Sequence, residues 1–204
     1  FRSLRYDATV LDNVSLEIEK GKIYGLVGRN GSGKTVLMKC ICGLIKPTSG
    51  EVKVAGKTVG KDVDIPEDIG VIIETPGFIP NYSGFKNLKL LASVRNKISN
   101  EEIRKSMEIV GLDPKSRKHV GKYSLGMRQK LGIAQAIMEK PKILILDEPM
   151  NGLDNESVAV VRKILKEQAE NGATIILASH NREDIDVLCD KVYTMDHGVI
   201  ECER

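Results

Sequence analysis

The sequence predicts an α/β fold in which a largely parallel sheet is interrupted by a helical segment. Residues 23–27 and 143–146 are short aliphatic runs of the kind that form buried parallel strands. Each run is followed by residues suited to a binding loop, and then by a segment with helical spacing of its apolar residues. Between Thr75 and about Ala136, strand-like runs give way to helical spacing. These observations predict one sheet core with one helical insertion.

The other elements follow from the same patterns. Alternation of Val14, Leu16 and Ile18 with polar residues predicts a half-exposed strand before the first buried one. Ser99 and Glu102 have the spacing of a capping box, which predicts the start of a helix in the insertion. Further strands are predicted over residues 51–54, 69–73, 174–178, 192–195 and 199–202, with a short one at Val59, and helices over residues 34–42, 125–138, 156–169 and 182–188.

The composition is that of an ordinary globular protein. The 204 residues carry 31 Lys and Arg against 28 Asp and Glu, a formal net charge of +3 that does not favour a nucleic-acid partner. No apolar stretch approaches the roughly 20 residues of a membrane-spanning helix, and no secretory signal is visible. Because the chain begins with Phe1 rather than Met, we expect that residues precede it. The scattered cysteines and histidines predict neither a disulfide framework nor a metal cage.

The segment 28–35 matches the phosphate-binding pattern G-x-x-x-x-G-K-[ST] at every fixed position and lies between a predicted strand and a predicted helix. Glycines let several backbone N–H groups and a helix N-terminus converge on one triphosphate. Lys34 can reach the terminal phosphates, and the hydroxyl of Thr35 can ligate an accompanying Mg²⁺ ion. The candidate phosphate-binding residues are Gly28, Asn30, Gly31, Ser32, Gly33, Lys34 and Thr35.

Two acidic residues, Asp147 and Glu148, directly follow the aliphatic run 143–146. The carboxyl ends of parallel strands are where α/β sheets build ligand sites. Asp147 suits the outer coordination shell of Mg²⁺, and Glu148 suits a general base that orients a water for attack on phosphorus. Adjacent acids can also be solvated loop residues, but beside a phosphate loop they predict a nucleotide-hydrolysing site.

A third segment narrows the class of nucleotide-hydrolysing protein, because helicases, kinases and GTPases share the first two motifs. The segment 123–129, Tyr-Ser-Leu-Gly-Met-Arg-Gln, resembles the L-S-G-G-Q signature of the ABC (ATP-binding cassette) ATPases. Ser124 and Gly126 offer a hydroxyl, bare backbone and a helix N-terminus to a phosphate brought by another molecule. Taken alone, an ordinary helix cap explains Ser124 equally well.

Other residues agree with this family in chain order. Residues 151–154 resemble its D-loop, and His180, after a predicted strand, resembles its switch histidine, which would contact the terminal phosphate. Tyr6 resembles the aromatic residue that stacks on adenine; Phe1 is the alternative, and Tyr6 could also be a plain core aromatic.

The sequence departs from the family pattern in two places. The family usually has Gln where this chain has Glu74, and its signature usually has Gly and Gln where this chain has Leu125 and Met127. A carboxylate near a triphosphate helps only when a metal ion or a water lies between them. We therefore expect Glu74 to join the metal site and to couple the helical segment to metal occupancy. This combination is similar to ABC ATPases of bacitracin-resistance and lantibiotic-immunity exporters.

The resemblance implies a P-loop NTPase core of the RecA-like type, with an N-terminal antiparallel β subdomain and an inserted α-helical subdomain. It implies a single domain over residues 1–204, with the core lobe at 1–75 and 136–204 and the helical subdomain at about 76–135. It also implies ATP and Mg²⁺ as bound groups, and catalytic roles for Lys34, Glu148 and His180. The partner is either a second copy or a paired ATPase subunit, whose Ser124 and Gly126 would close a nucleotide sandwich.

In such a system ATP hydrolysis drives transmembrane transport through a separate permease, docked near residues 78–82 and the helical subdomain. The resemblance implies a cytoplasmic protein, peripheral on the inner face of the cell membrane, that serves an exporter of an antimicrobial peptide, drug or similar compound. The aromatic residues near 78–82 could instead pack internally. The alternative function is a soluble ABC-type ATPase acting on nucleic acid or ribosomes. No nucleic acid is expected, because the sequence shows no long coiled-coil insertion or duplicated cassette.

Overall fold

The computed structural model describes residues 9–203, in which strands and helices follow one another in mixed order. The strands are β1 (Ile23–Val27), β2 (Lys53–Val54), β3 (Lys57–Thr58), β4 (Ile69–Ile72), β5 (Ile143–Asp147), β6 (Thr174–Ala178), β7 (Lys191–Asp196) and β8 (Val199–Cys202). The α-helices are α1 (Lys34–Ile41), α2 (Gly84–Arg95), α3 (Asn100–Ile109), α4 (Leu125–Ile137), α5 (Asn155–Glu170) and α6 (Arg182–Leu188), with a 3₁₀ turn at Val120–Lys122.

The main sheet has six strands in the order β4-β5-β6-β1-β7-β8. The first five of these are parallel to one another, and only β8 runs antiparallel, against β7. In the centre, Leu146 lies opposite Leu177 and Gly25 lies opposite Leu177 from the other side. Because parallel strands share one direction, the carboxyl ends of β1, β4, β5 and β6 all lie on the same side of the sheet. This confirms the predicted α/β class.

The bounds of β1, β6, β8 and α6 are those predicted, and α1 and α4 each end one residue earlier than predicted. The short strand predicted at Val59 lies instead at Lys57–Thr58. The strand predicted at Val14, Leu16 and Ile18 is wrong: within residues 9–203 this segment forms no strand. Its alternating side chains are still half-buried and pack on the core beneath α1. The alternation of apolar and polar residues therefore indicates only that one side of an extended segment is buried. A strand also needs a neighbouring strand to which it is hydrogen-bonded. The short pair β2–β3 is antiparallel.

The insertion between β4 and β5 contains α2, α3, the 3₁₀ turn and α4. Its helix α3 begins with the predicted capping box, in which Ser99 and Glu102 bind each other's backbone N–H groups. The helices pack on one another through a buried cluster that includes Leu88, Met107 and Leu131 and continues to Leu146 of the sheet. The boundaries of the two lobes stay a prediction. Within residues 9–203, no helix is both long and apolar enough to cross a bilayer.

One close approach fixes α4 against the sheet. At Gly70 in β4, a Cβ atom would lie 2.0 Å from the carbonyl oxygen of Ala136 and 2.9 Å from Pro141 Cγ. Any side chain there would separate the C-terminal end of α4 from β4. Gly70 is therefore required by contact rather than by backbone conformation, and it sets how deeply the helix sits on the sheet.

We expect Gly70→Ala to lower the free energy of unfolding by about 1–3 kcal/mol, because the added methyl group overpacks a rigid backbone contact. The measurement is a urea denaturation curve. The matched control is Gly77→Ala, at a position where nothing lies within 4 Å of the added Cβ atom. Equal denaturation midpoints for wild type and Gly70→Ala would show that α4 can shift without cost.

Candidate nucleotide site

The phosphate loop that follows β1 owes its shape to three glycines with positive φ angles: Gly28 at 150°, Gly31 at 82° and Gly33 at 109°. Gly33 lies just before α1, and among residues 9–203 no side chain caps this helix. The first backbone N–H groups of α1 are therefore available to an anion, and the positive end of the helix dipole adds to the attraction. This confirms the predicted strand–loop–helix context of the motif.

The hairpin β7–β8 supports the loop from outside. A Cβ atom at Gly28 would lie 2.2 Å from the carbonyl oxygen of Met195 in β7. In the turn of the hairpin, Gly198 donates its backbone N–H to the carbonyl oxygen of Ser32 at 3.1 Å. The loop is thus held both by its own conformation and by a neighbouring strand pair.

Lys34 places its ammonium group within this loop. Its Nζ donates to the carbonyl oxygens of Gly28 at 2.8 Å and Arg29 at 3.0 Å, and it lies 3.4 Å from the Oγ of Ser32. The side chain is buried. A cation, a helix N-terminus and a ring of backbone groups therefore converge at one point, which is the arrangement that binds phosphate.

Thr35 and Asp147 join α1 to the end of β5. The Oγ1 of Thr35 donates to Oδ2 of Asp147 at 2.7 Å. The two residues are 112 positions apart in the chain, and the parallel sheet brings them together. A hydroxyl oxygen and a carboxylate oxygen side by side are hard donors of the type that Mg²⁺ prefers.

Glu148 and His180 meet at the ends of β5 and β6. The Nδ1 of His180 lies 2.8 Å from Oε2 of Glu148. The backbone N–H of Glu148 donates to the carbonyl oxygen of Ala178 at 2.9 Å, and its φ angle is +51°. Because few residues other than glycine adopt this conformation, the carboxylate is aimed by a backbone that its surroundings must hold in place.

Glu74 follows β4 at the same edge of the sheet and forms an ion pair that sequence reasoning missed. Its Oε1 lies 2.6 Å from Nζ of Lys39, on α1. Lys39 is one helical turn after Thr35, so a single face of α1 meets both Asp147 and Glu74. That spacing is a usable signal in the sequence, because the phosphate-loop motif assigns Thr35 to the metal site.

A cavity of about 530 Å³ lies where these groups meet. It opens between the phosphate loop, the segment after β4, the first turn of α4 and the end of β5. Its lining includes Asn30, Gly31, Ser32, Gly33, Lys34, Thr35, Glu74, Asp147 and Glu148 among the predicted residues, and Arg128, Gln129 and Asn151 in addition. The structure therefore brings most of the predicted site together.

Ser124 and Gly126 do not belong to the lining of this cavity. The exposed Ser124 caps α4, and its Oγ accepts a hydrogen bond from the backbone N–H of Met127 at 3.2 Å. A Cβ atom at Gly126 would lie 3.0 Å from the carbonyl oxygen of Gly152. The start of α4 is accordingly presented to solvent beside the site of its own chain. Tyr6 and Phe1 lie outside the described residues.

Residues 151–154 lie between Glu148 and α5, and the turn in this connection is at residues 149–152. Asp154 caps α5 by accepting the backbone N–H of Ser157 at 2.8 Å. Hydrogen bonds from the side chain and backbone of Ser157 lower the pKa of Asp154. The carboxylate of Asp154 therefore binds the first turn of α5, and it does not line the cavity.

Comparisons with known proteins agree with this geometry. A family model described as "ABC transporter" matches residues 11–151. The chain is 49% identical to the uncharacterized ABC transporter ATP-binding protein YybJ of Bacillus subtilis, with coverage of 95% of this chain and 88% of that protein. It is 44% identical to the bacitracin transport ATP-binding protein BcrA of Enterococcus faecalis, where the match spans 94% of this chain and 63% of the relative.

A further relative is the lantibiotic transport ATP-binding protein SrtF of Streptococcus pyogenes, at 37% identity over 96% of this chain and 84% of that protein. The structure also superposes with a TM-score of 0.85 on the dimeric ATP-binding cassette MJ0796 in a post-hydrolysis state bound to ADP and Pi. That likeness covers 97% of this chain and 92% of the other at 22% identity, and it shows the fold. The chain therefore belongs to the ABC transporter family, as one of its ATP-binding, ATP-hydrolysing cassettes.

Proposed function

We propose that this chain is the motor subunit of an exporter, in which ATP closes two ATPase subunits against each other and hydrolysis lets them reopen. The observation that carries the proposal is the convergence of two pairs, Thr35 with Asp147 and Glu148 with His180, beside the Lys34 loop. This arrangement provides groups for phosphate binding, for metal binding and for general-base catalysis at the carboxyl ends of the parallel strands.

The loop would bind the triphosphate through backbone N–H groups that converge at the start of α1. Lys34 would move its hydrogen bonds from the carbonyl oxygens of Gly28 and Arg29 to the terminal phosphates. Because the glycine conformations are already set, little backbone reorganisation is needed. The loop thus contributes affinity and the correct orientation of the phosphorus atom.

Mg²⁺ fits the donor set of this site. In nucleotide sites this ion is usually held by one or two protein oxygens together with phosphate oxygens and waters. Thr35 and Asp147 would hold it, and it would neutralise charge that develops on the phosphates. Glu74 lies at the same edge, and its carboxylate is paired with Lys39. We propose that Glu74 acts on the metal site in this paired form.

Glu148 would accept a proton from the attacking water. The bond from its backbone N–H to Ala178 holds the main chain of Glu148, and the contact with His180 holds its carboxylate. His180 would hold the carboxylate in line and then reach the terminal phosphate, since 71% of its side chain is exposed. Positioning of the nucleophile in this way is one of the two main contributions that a protein makes to phosphoryl transfer, and electrostatic stabilisation is the other.

A second ATPase subunit would complete the site. Ser124 and Gly126 are at the exposed start of α4 and do not line the cavity of their own chain. A helix N-terminus that faces solvent can receive a phosphate held by another molecule. The cassette MJ0796, which has the same fold, is described as dimeric. These observations support a nucleotide sandwich with two sites.

The membrane partner would be a separate permease, with this chain on the cytoplasmic face of the membrane. Leu90, Leu91 and Val94 share an exposed face of α2, and Val94 is 82% exposed. Phe78, in contrast, packs partly on the core, as its internal alternative predicted. An apolar helix face in the insertion is the kind of surface that a partner covers. The names of BcrA and SrtF support antimicrobial peptides as the exported class.

We expect Glu148→Gln to lower ATP turnover by at least about 100-fold, because the amide cannot accept the proton from water. ATP should still bind with wild-type affinity, since the loop and Lys34 are unchanged. Phosphate release and binding of a fluorescent ATP analogue measure the two quantities, with the exposed substitution Glu108→Gln as the control. Unaltered hydrolysis in Glu148→Gln would remove Glu148 from the role of general base.

We expect Ser124→Asp, placed in the Glu148→Gln background, to prevent ATP-dependent dimerisation. Asp keeps the cap of α4 but puts a negative charge opposite the phosphate of the partner's nucleotide. Analytical ultracentrifugation with and without ATP gives the measurement. Ser124→Asn is the matched control, because it keeps both the cap and the neutral charge. If the Asp and Asn variants dimerise at the same ATP concentration, Ser124 does not face a partner's phosphate.

We expect Glu74→Ala to raise the Mg²⁺ concentration needed for half-maximal turnover, because it removes a carboxylate from the metal edge of the cavity. A Mg²⁺ titration of ATP turnover measures this. The control is Glu51→Ala, which breaks an equally short ion pair, with Lys53 at 2.6 Å, outside the lining of the cavity. The assignment of Glu74 is wrong if its removal leaves both the Mg²⁺ dependence and the stimulation by a permease unchanged.

A further inference from the structure

Gln129 is a buried polar residue that the mechanism above does not use. It lies in the second turn of α4, and its Nε2 donates to two consecutive carbonyl oxygens, those of Glu148 at 3.1 Å and Pro149 at 2.9 Å. The NH₂ group of this amide is therefore directed at the backbone of the proposed general base and of the residue that follows it. Both hydrogen bonds of Nε2 therefore join α4 to the segment after β5, and neither is made within α4.

The backbone that Gln129 contacts is the one that most needs support. Glu148 has a φ angle of +51°, which a residue with a side chain keeps only when its surroundings hold it there. Within residues 9–203, three hydrogen bonds reach the backbone of Glu148 itself: its N–H donates to Ala178 O at 2.9 Å, and its carbonyl oxygen accepts from Asn151 N–H at 3.1 Å and from Nε2 of Gln129 at 3.1 Å. Of these three, only the bond from Gln129 comes from the helical insertion.

A second contact joins the same helix face to the same segment. Leu125 lies one turn before Gln129, and a Cβ atom at Gly152 would lie 2.5 Å from Cδ2 of Leu125. Gly126 approaches Gly152 as well, since its own Cβ would lie 3.0 Å from that residue's carbonyl oxygen. The first two turns of α4 therefore contact Glu148, Pro149 and Gly152.

We propose that Gln129 is a positioning residue, which fixes the backbone of Glu148 to α4 and so makes alignment of the general base depend on the position of that helix. The inference rests on the proposed function, in which Ser124 at the start of α4 binds the nucleotide held by the partner. Contact with the neighbouring nucleotide and alignment of the base then share one rigid element. Leu125 tightens this link, because its side chain covers the turn after Glu148.

The test is steady-state ATP turnover by the full chain carrying Gln129→Met, which keeps the length of the side chain and its helix preference but removes the donor. We expect kcat to fall about 10- to 100-fold, the loss typical of a misaligned reacting group, with KM and ATP affinity unchanged. Gln135→Met, further along the same helix, is the matched control and should keep wild-type kcat. Gln129→Glu, which turns an acceptor toward both carbonyl oxygens, should lower kcat at least as far.

A double-mutant cycle separates positioning from a general effect on the fold. In the Glu148→Gln background, Gln129→Met should leave the residual turnover unchanged, because there is no base left to align. A further loss in that background, or wild-type kcat in both Gln129 variants, would overturn the inference. A loss of ATP affinity in both variants, equal to the loss in kcat/KM, would also overturn it. Absence of ATP hydrolysis in the wild-type chain would instead contradict the proposed function.

Discussion

Parallel pairing of β5, β6 and β1 is the constraint on which the site depends. It brings three separate loops together at the carboxyl ends of these strands, and each loop contributes a different chemical group. The ammonium of Lys34 follows β1, the carboxylate of Glu148 follows β5 and the imidazole of His180 follows β6. No single segment of the chain could gather these groups at one place. The sheet does so while its buried aliphatic strands stabilise the fold, so stability and geometry have the same origin.

The parts of the site that depend on local chain geometry could be predicted from the sequence. The phosphate loop is one such part, because the glycines at 28, 31 and 33 encode the positive φ angles found there. The caps at Ser99 and Ser124 are others, since a cap needs only a neighbouring backbone N–H group. Helix and strand periods then placed Asp147 and Glu148 at the end of a buried strand.

Contacts between distant segments could not be predicted in the same way. The pair of Lys39 with Glu74 joins residues 35 positions apart, and Gln129 reaches Glu148 across 19 positions. The charge of Glu74 suggested a metal ligand, and the spacing of Lys39 from Thr35 put Lys39 on the same face of α1, but neither pattern gives the distance between Lys39 and Glu74. The prediction of a strand around Leu16 was wrong for a related reason. Alternation of apolar and polar residues indicates burial on one side, but it does not indicate that a neighbouring strand is present.

The hairpin β7–β8 acts on the phosphate loop without touching the proposed reacting groups. Its Met195 carbonyl abuts Gly28, and its turn holds Ser32 through Gly198. The loop cannot widen unless this edge of the sheet moves with it. The hairpin therefore keeps the phosphate-binding loop at a fixed width, so that binding of ATP costs little loss of conformational freedom in this loop.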